Sequence, residues 1–343
     1  MHIYNILKNK YFVSFQLLLK IVFIIVLLFG FYLLYKLVLY TLFPSNNIEV
    51  RYISNHYNIS PEVPKNLTFA GEKVPLERFD VYESLDRELI INTYFHSQTI
   101  LNLKRANRFF PIIEPILKKY NVPDDFKYLM VIESNLANTI SPAGAVGYWQ
   151  FMKPTAEKYG LEITDEIDER YHIVKSTEAA CKYLLDLYSY YKNWTLVSAA
   201  YNAGPGLINK VIEQQKSYNY YDLQFNEETA RYIYRILAMK IIMSDPQKYG
   251  FYLSPKVKYY KIPTKTIAVD SSITNLPDFA NKLGINYKLL RIFNPWIRKY
   301  QLTNKEKKTY YIEIPEIEYT NINKLLELYS IDTTFTTNDT ILH

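Results

Sequence analysis

Cysteine is almost absent. Cys181 is the only one, so no intramolecular disulfide can staple the chain, whichever compartment it occupies. Glycine is scarce, at 9 of 343 residues. Acidic residues are missing from residues 1–43, which hold Lys8, Lys10, Lys20 and Lys36. Those four lysines carry most of the net charge of +6, leaving +2 on everything that follows. A body so close to neutral excludes the basic patch of a nucleic-acid-binding protein. Acids are also nearly missing from one internal stretch, VIESNLANTISPAGAVGYWQFM, Val131 to Met152, whose only carboxylate is Glu133.

What is present divides the chain into segments. Ile21–Tyr35 is wholly apolar or aromatic, and with snorkelling lysines the run extends from about Leu17 to Phe43, longer than the roughly 20 residues that span a bilayer. It is too long for a signal peptide and shows no small-residue cleavage site. Lysines before the span place the N-terminus in the cytoplasm and the rest outside it. Residues 1–43 are therefore expected to be a cytoplasmic N-terminus and transmembrane helix. Residues 44–75, with Pro44, Pro61, Pro64 and Pro75 among Asn and Ser, read as a linker and extended lead-in.

From 76 to 250 the periodicity is helical nearly throughout, with apolar residues three and four apart in FDVYESLDRELIINTYF, RANRFFPIIEPILKKY, STEAACKYLLDLYSYY and NEETARYIYRILAMKIIM. The fold expected is mainly α. Over 263–315 short extended pieces, ending in YYIEIP, flank LPDFANKLG and YKLLRIF, a strand–helix–helix–strand pattern. The tail, 316–343, is polar and Thr-rich, with one helical stretch at NINKLLELY. The 34 tyrosines read as compositional bias.

Glu133 ends an apolar helix that starts near Pro123, Asp124 and Asp125. The helix dipole there favours the protonated acid by roughly 0.3–1 kcal/mol. A general acid working near neutral pH needs about 3 kcal/mol, so apolar burial must supply most of it, with Leu129, Met130 and Leu136 as candidate walls. Alone, such a Glu reads as a solvated helix end. Its neighbours alter that reading. Four of the nine glycines fall in AGAVG (Gly144, Gly147) and NAGPG (Gly204, Gly206), where a substrate or another backbone comes close. Trp149 and Gln150 follow, as an aromatic platform and an amide able to read a sugar, although Trp149 is equally a core residue. Asp168 and Arg170 in TDEIDER read as a structural pair or a solvated loop.

ES followed by SPAGAVGYWQFM, then AAYNAGPG, ETARY and DPQKYG, resembles the lytic transglycosylases of the goose-type-lysozyme clan, and among them the membrane-bound D-type murein enzymes. The resemblance covers about 100–250. It implies a lysozyme-like helical catalytic domain over 76–250, with Glu133 as the one catalytic carboxylate. It also implies Ser141, Gln150, Tyr201, Asn202 and Tyr232 as contacts to substrate or to Glu133, and no cofactor or metal. The spacing from Glu133 to Ser141 is one residue shorter than in many relatives and lacks their usual Pro. The implied chemistry cleaves peptidoglycan glycan strands between N-acetylmuramic acid and N-acetylglucosamine, with attack by the sugar's own C6 hydroxyl yielding a 1,6-anhydro end. A muramidase hydrolysing the same bond, or a non-catalytic wall-binding scaffold, remains the alternative. The 263–315 module resembles a degenerate LysM domain on Phe279, Ala280, Gly284, Ile285, Leu290 and Asn294, without the usual Gly-Asp-Thr. With the N-terminal span, the implied location is a single-pass inner-membrane protein whose catalytic part is periplasmic.

Overall fold

The computed structural model describes residue 23 and residues 26–38 and 59–331. Residues 1–59 and 60–343 form separate units. In the first, residues 26–38 are helical (α1) and their side chains are exposed. Apart from residue 23, the rest of the expected span over 17–43 lies outside the described residues, as do residues 44–58 of the lead-in and the tail beyond Ile331. Among the described residues no helix is long and apolar enough to cross a membrane.

The second unit begins with a surprise for the sequence reading. The segment read as lead-in forms a hairpin, β1 (Thr68–Phe69) and β2 (Glu72–Lys73), turned by Ala70 and Gly71 at positive φ. Phe69 and Val74 lie in the helical core, at 0% and 1% exposure. The Glu72 carboxylate accepts the backbone N–H groups of Trp194 and Thr195. It thereby caps a helix start, where orphan donors and the dipole both favour an anion.

Helices follow as the periodicity predicts: α2 (Phe79–Tyr94), α3 (His96–Lys119), α4 (Phe126–Ser134), α5 (Lys153–Lys158), α6 (Ile173–Tyr191), α7 (Trp194–Ala203), α8 (Pro205–Gln215) and α9 (Glu227–Ser244). Three of them set the position of the candidate site. In α4, Phe126, Leu129, Met130 and Val131 are all fully buried, each worth about 1.5–3 kcal/mol. It stops where Asn135 adopts the left-handed conformation and its N–H returns to the Val131 carbonyl at 2.8 Å. In α7, Asn193 caps the start by accepting from the Leu196 N–H. Buried Ala199 and Ala200 permit close packing, and Gly204 at φ 81° ends the helix before Pro205 opens α8. Asn226 caps α9 through the Thr229 N–H at 2.9 Å, and α9 packs against α2, α4 and α7.

The expected strand–helix–helix–strand module is present as β3 (Thr264–Val269), α10 (Leu276–Lys282), α11 (Tyr287–Phe293) and β4 (Tyr310–Pro315). β3 and β4 are antiparallel, with Thr264 opposite Pro315 and Val269 opposite Tyr310. A last helix, α12 (Ile322–Leu328), covers NINKLLELY. The module shares a core with the helical part, in which Val146, Ile167 and Tyr171 pack with Trp296, Ile297 and Leu302.

Candidate active site

Glu133 lies in the last turn of α4 and is half-buried. Burial pushes its carboxyl up from the ordinary 4.5 to about 7. Two neighbours act the other way: the Tyr232 hydroxyl and the positive charge of Arg235 favour the carboxylate, whereas Glu228 opposes it. Leu129, Met130 and Leu136, the candidate walls, are all buried around the end of α4. A carboxyl poised near neutral pH can both donate and accept a proton, which a single acid–base catalyst requires.

The Tyr232 hydroxyl, from the buried middle of α9, donates to Glu133 Oε1. Burial and the adjacent Glu133 hold its phenol well above 10, so it stays a neutral donor. The resemblance implied Tyr232 as a contact to substrate or to Glu133, and the fold brings its hydroxyl to the acid.

The other expected contacts are arranged differently. The Tyr201 hydroxyl donates to the Trp149 carbonyl at 2.7 Å. Its ring lies near enough for Glu133 to raise the phenol further, although burial is the larger cause. Tyr201 therefore anchors the loop carrying Trp149. Trp149 itself is core, fully buried with its indole N–H on Thr177 Oγ1 at 2.9 Å, and offers no sugar platform. Gln150, at φ 51°, uses its amide N–H groups on the Gly147 carbonyl at 2.7 Å and on Thr139. Ser141 Oγ accepts from the Ala145 N–H at 3.0 Å and closes the tight turn around Gly144. Asn202 reaches α9 instead, accepting from Thr229 Oγ1 at 3.2 Å and donating to Glu228 Oε1 at 3.4 Å.

Gly147 does serve a close approach, and the partner is backbone. At φ 84°, a Cβ there would stand 2.0 Å from the Arg170 carbonyl oxygen. Arg170 is gripped by Asp168 through Nε–Oδ1 at 2.9 Å and Nη2–Oδ2 at 2.7 Å, and its Nη1 donates to the Phe151 carbonyl. Of the two readings of TDEIDER, the buried structural pair is the one found.

A cavity of about 590 Å³ has Glu88, Gln98, Asn135, Glu228, Arg231 and Arg235 among its walls; Glu133 does not line it, but the charges of Glu228 and Arg235 reach the acid from there. The sequence reading missed Glu228 and Arg235. Helical spacing carried the signal, because residues 228, 232 and 235 share one face of α9. Among the described residues no group of His, Cys, Asp and Glu could hold a metal ion.

Two family models match this chain. Residues 110–224 match the transglycosylase SLT domain, and residues 265–318 match the soluble lytic transglycosylase C-terminal LysM-like domain. Among curated proteins, the membrane-bound lytic murein transglycosylase D of Escherichia coli is 27% identical over 259 residues, 73% of this chain and 56% of that protein. A putative tributyltin chloride resistance protein of an Alteromonas species is 27% identical over 126 residues, 36% of this chain and 61% of that one. The chain thus spans little more than half the length of the curated relatives it matches. The X-ray structure of an inactive mutant of the lytic transglycosylase Slt from Pseudomonas aeruginosa aligns at 20% identity and a TM-score of 0.34, over 44% of this chain and 26% of that one. The chain carries a transglycosylase SLT domain followed by a soluble lytic transglycosylase C-terminal LysM-like domain, and it is homologous to membrane-bound lytic murein transglycosylase D.

Proposed function

We propose that the protein is a peptidoglycan lytic transglycosylase. The observation that carries this reading is Glu133: one half-buried carboxyl, raised to about 7, held by a neutral phenol and reached by the charges of a polar cavity. Glu133 protonates the glycosidic oxygen between N-acetylmuramic acid and N-acetylglucosamine. As the carboxylate it then takes the proton from the C6 hydroxyl that attacks C1. A bond to C6 oxygen forms as the glycosidic bond breaks, the proton count balances, and no water is consumed. Tyr232 orients the carboxylate. Tyr201, Gln150 and Ser141 act one step further out, shaping the loop that walls the cleft, and Asn202 braces α9 against α7.

The helical part over 76–250 is the catalytic domain and 263–315 the LysM-like module. The apolar run within 1–43 supplies a single-span inner-membrane anchor that leaves the remainder periplasmic, and the lysines before it set that orientation. A muramidase reading rests on Glu228, a second carboxylate acting on Glu133, since hydrolases of this class pair two acids. Digestion of purified peptidoglycan with mass analysis decides between them. Anhydro products one water lighter than hydrolysed ones are expected, and they should persist in Glu228→Gln and vanish in Glu133→Gln. Hydrated products refute the transglycosylase reading, and cleavage by Glu133→Gln refutes the assignment of the acid.

A further inference from the structure

The cationic groups beside the acid are not equivalent. Arg231 is tied to buried Glu88 through Nε–Oε1 at 2.6 Å and Nη2–Oε2 at 3.2 Å. Its Nη1 also reaches Glu227, which Arg87 holds at 2.9 Å. Arg235, one turn beyond Tyr232, is half-buried and lines the same cavity. Among the described residues it has neither a hydrogen-bond nor an ion-pair partner. A half-buried guanidinium with five donors and no acceptor is costly to leave unmatched. Such groups concentrate where a ligand completes them. Gln98, whose amide donates to Asn102, and Asn135 line the same cavity. Asn135 accepts at Oδ1 from Asn102 and retains its amide N–H groups as donors. The carboxylates nearby are Glu88 and Glu227, both paired with arginines, and exposed Glu228, which Asn202 contacts.

We propose that Arg235, with Asn135, binds a carboxylate of the substrate on the muramyl side of the scissile bond. This rests on the transglycosylase reading and deepens it. Two carboxylates share the required chemistry: that of a stem peptide, and that of the lactyl arm once the peptide has been removed. Arg235 is an anchor for whichever is present, in the bidentate geometry a guanidinium offers. It is also a brake on the acid. Its charge pulls Glu133 toward the carboxylate in the free protein, and pairing with a substrate carboxylate relieves that pull. Glu133 is then more fully protonated with substrate bound than without it.

The test compares the full-length protein with Arg235→Gln and Arg235→Lys on two purified substrates, glycan strands with intact stem peptides and strands stripped by an amidase. Melting curves accompany each variant. In Arg235→Gln, KM should rise roughly 10- to 150-fold on at least one substrate, the loss of a charged hydrogen bond, with a much smaller change in kcat. Arg235→Lys should recover part of it. A rise confined to intact strands identifies the stem peptide, and one confined to stripped strands identifies the lactyl arm. In the wild type, the basic limb of kcat should lie at higher pH than that of kcat/KM, and in Arg235→Gln the two should converge. Unchanged KM on both substrates, or coincident limbs in the wild type, overturns this inference alone. A wild type that cleaves neither strand overturns the transglycosylase reading, and the inference falls with it.

Discussion

Glu133→Gln should inactivate the protein and stabilise it, and the stabilisation should depend on pH in a defined way. In the folded chain the carboxyl titrates near 7, against an ordinary 4.5 when exposed on unfolding. The folded state therefore holds its proton more tightly. Below 4.5 both states are protonated and the site is neutral in stability. As pH rises from 4.5 to 7 the unfolded state releases its proton first, and stability falls. Above 7 the full cost is in place, about 3–4 kcal/mol. Gln has no such titration, and its Oε1 can still accept from Tyr232. The variant should match the wild type at pH 4 and exceed it at pH 8, by roughly 5–10 °C in melting temperature for a unit of this size. Thermal melts across that range, read beside peptidoglycan cleavage, measure both effects. The lost proton donor should cost roughly 10²–10⁴-fold in rate. Equal melting temperatures at pH 8, or the same difference at pH 4 and pH 8, would refute the claim that a buried, proton-holding carboxyl is the source.

Tyr232→Phe removes a donor that favours the carboxylate, so the acid rises further and the basic limb of kcat/KM should move up by about one to two pH units; a limb that stays put or moves down contradicts the hydrogen bond. Gly147→Ala places a Cβ 2.0 Å from the Arg170 carbonyl oxygen at φ 84°, and it should cost more than about 3 kcal/mol in urea unfolding, whereas Gly144→Ala, with open space around it, should cost less. Tyr201→Phe leaves the Trp149 carbonyl without its partner and should lower stability by about 1–3 kcal/mol. Its cleavage rate should fall with the loosened loop, and an unchanged melt would remove the anchoring role.

Helices were legible because apolar spacing is a local property, whereas the Asn193 and Asn226 caps were seen only in the fold. Glu133 alone read as a solvated helix end; the glycines around it and the resemblance of the motifs that follow singled it out. The β1–β2 hairpin was not legible. Its strands are two residues long, too short for alternation to register, and its place is fixed by Phe69 entering a core built from distant helices. The prolines around it read as an extended tether, a reading that tertiary packing overrides. For a different reason, the partners of Tyr201 and Gln150 within the chain were not legible. Sequence shows that Tyr201 and Gln150 have donors. It does not show that the Trp149 and Gly147 carbonyls accept from them. Arg235 is the converse case. Helical spacing puts Arg235 on the face of Glu228 and Tyr232, but only the fold shows that Glu88, on another helix, takes Arg231 and leaves Arg235.

The LysM-like module enters the same argument through the loop. Its Trp296 carbonyl accepts the Asp168 N–H at 2.8 Å, and its Arg298 N–H donates to the Glu166 carbonyl at 2.6 Å. The Glu166 carboxylate in turn accepts from Gln301 and Thr303, and the Tyr310 hydroxyl bonds Glu162. Asp168 then grips Arg170, Arg170 holds Phe151 and presses on Gly147, and that turn carries the Trp149 carbonyl to Tyr201, next to the acid. Such contacts seat residues 296–303 against the 162–168 segment and leave the rest of the module's surface outside them. They also fix that surface relative to Glu133. A module on a free tether raises the local concentration of substrate without regard to direction. One that shares a hydrophobic core with Val146, Ile167 and Tyr171 instead keeps its surface at a constant distance and angle from Glu133.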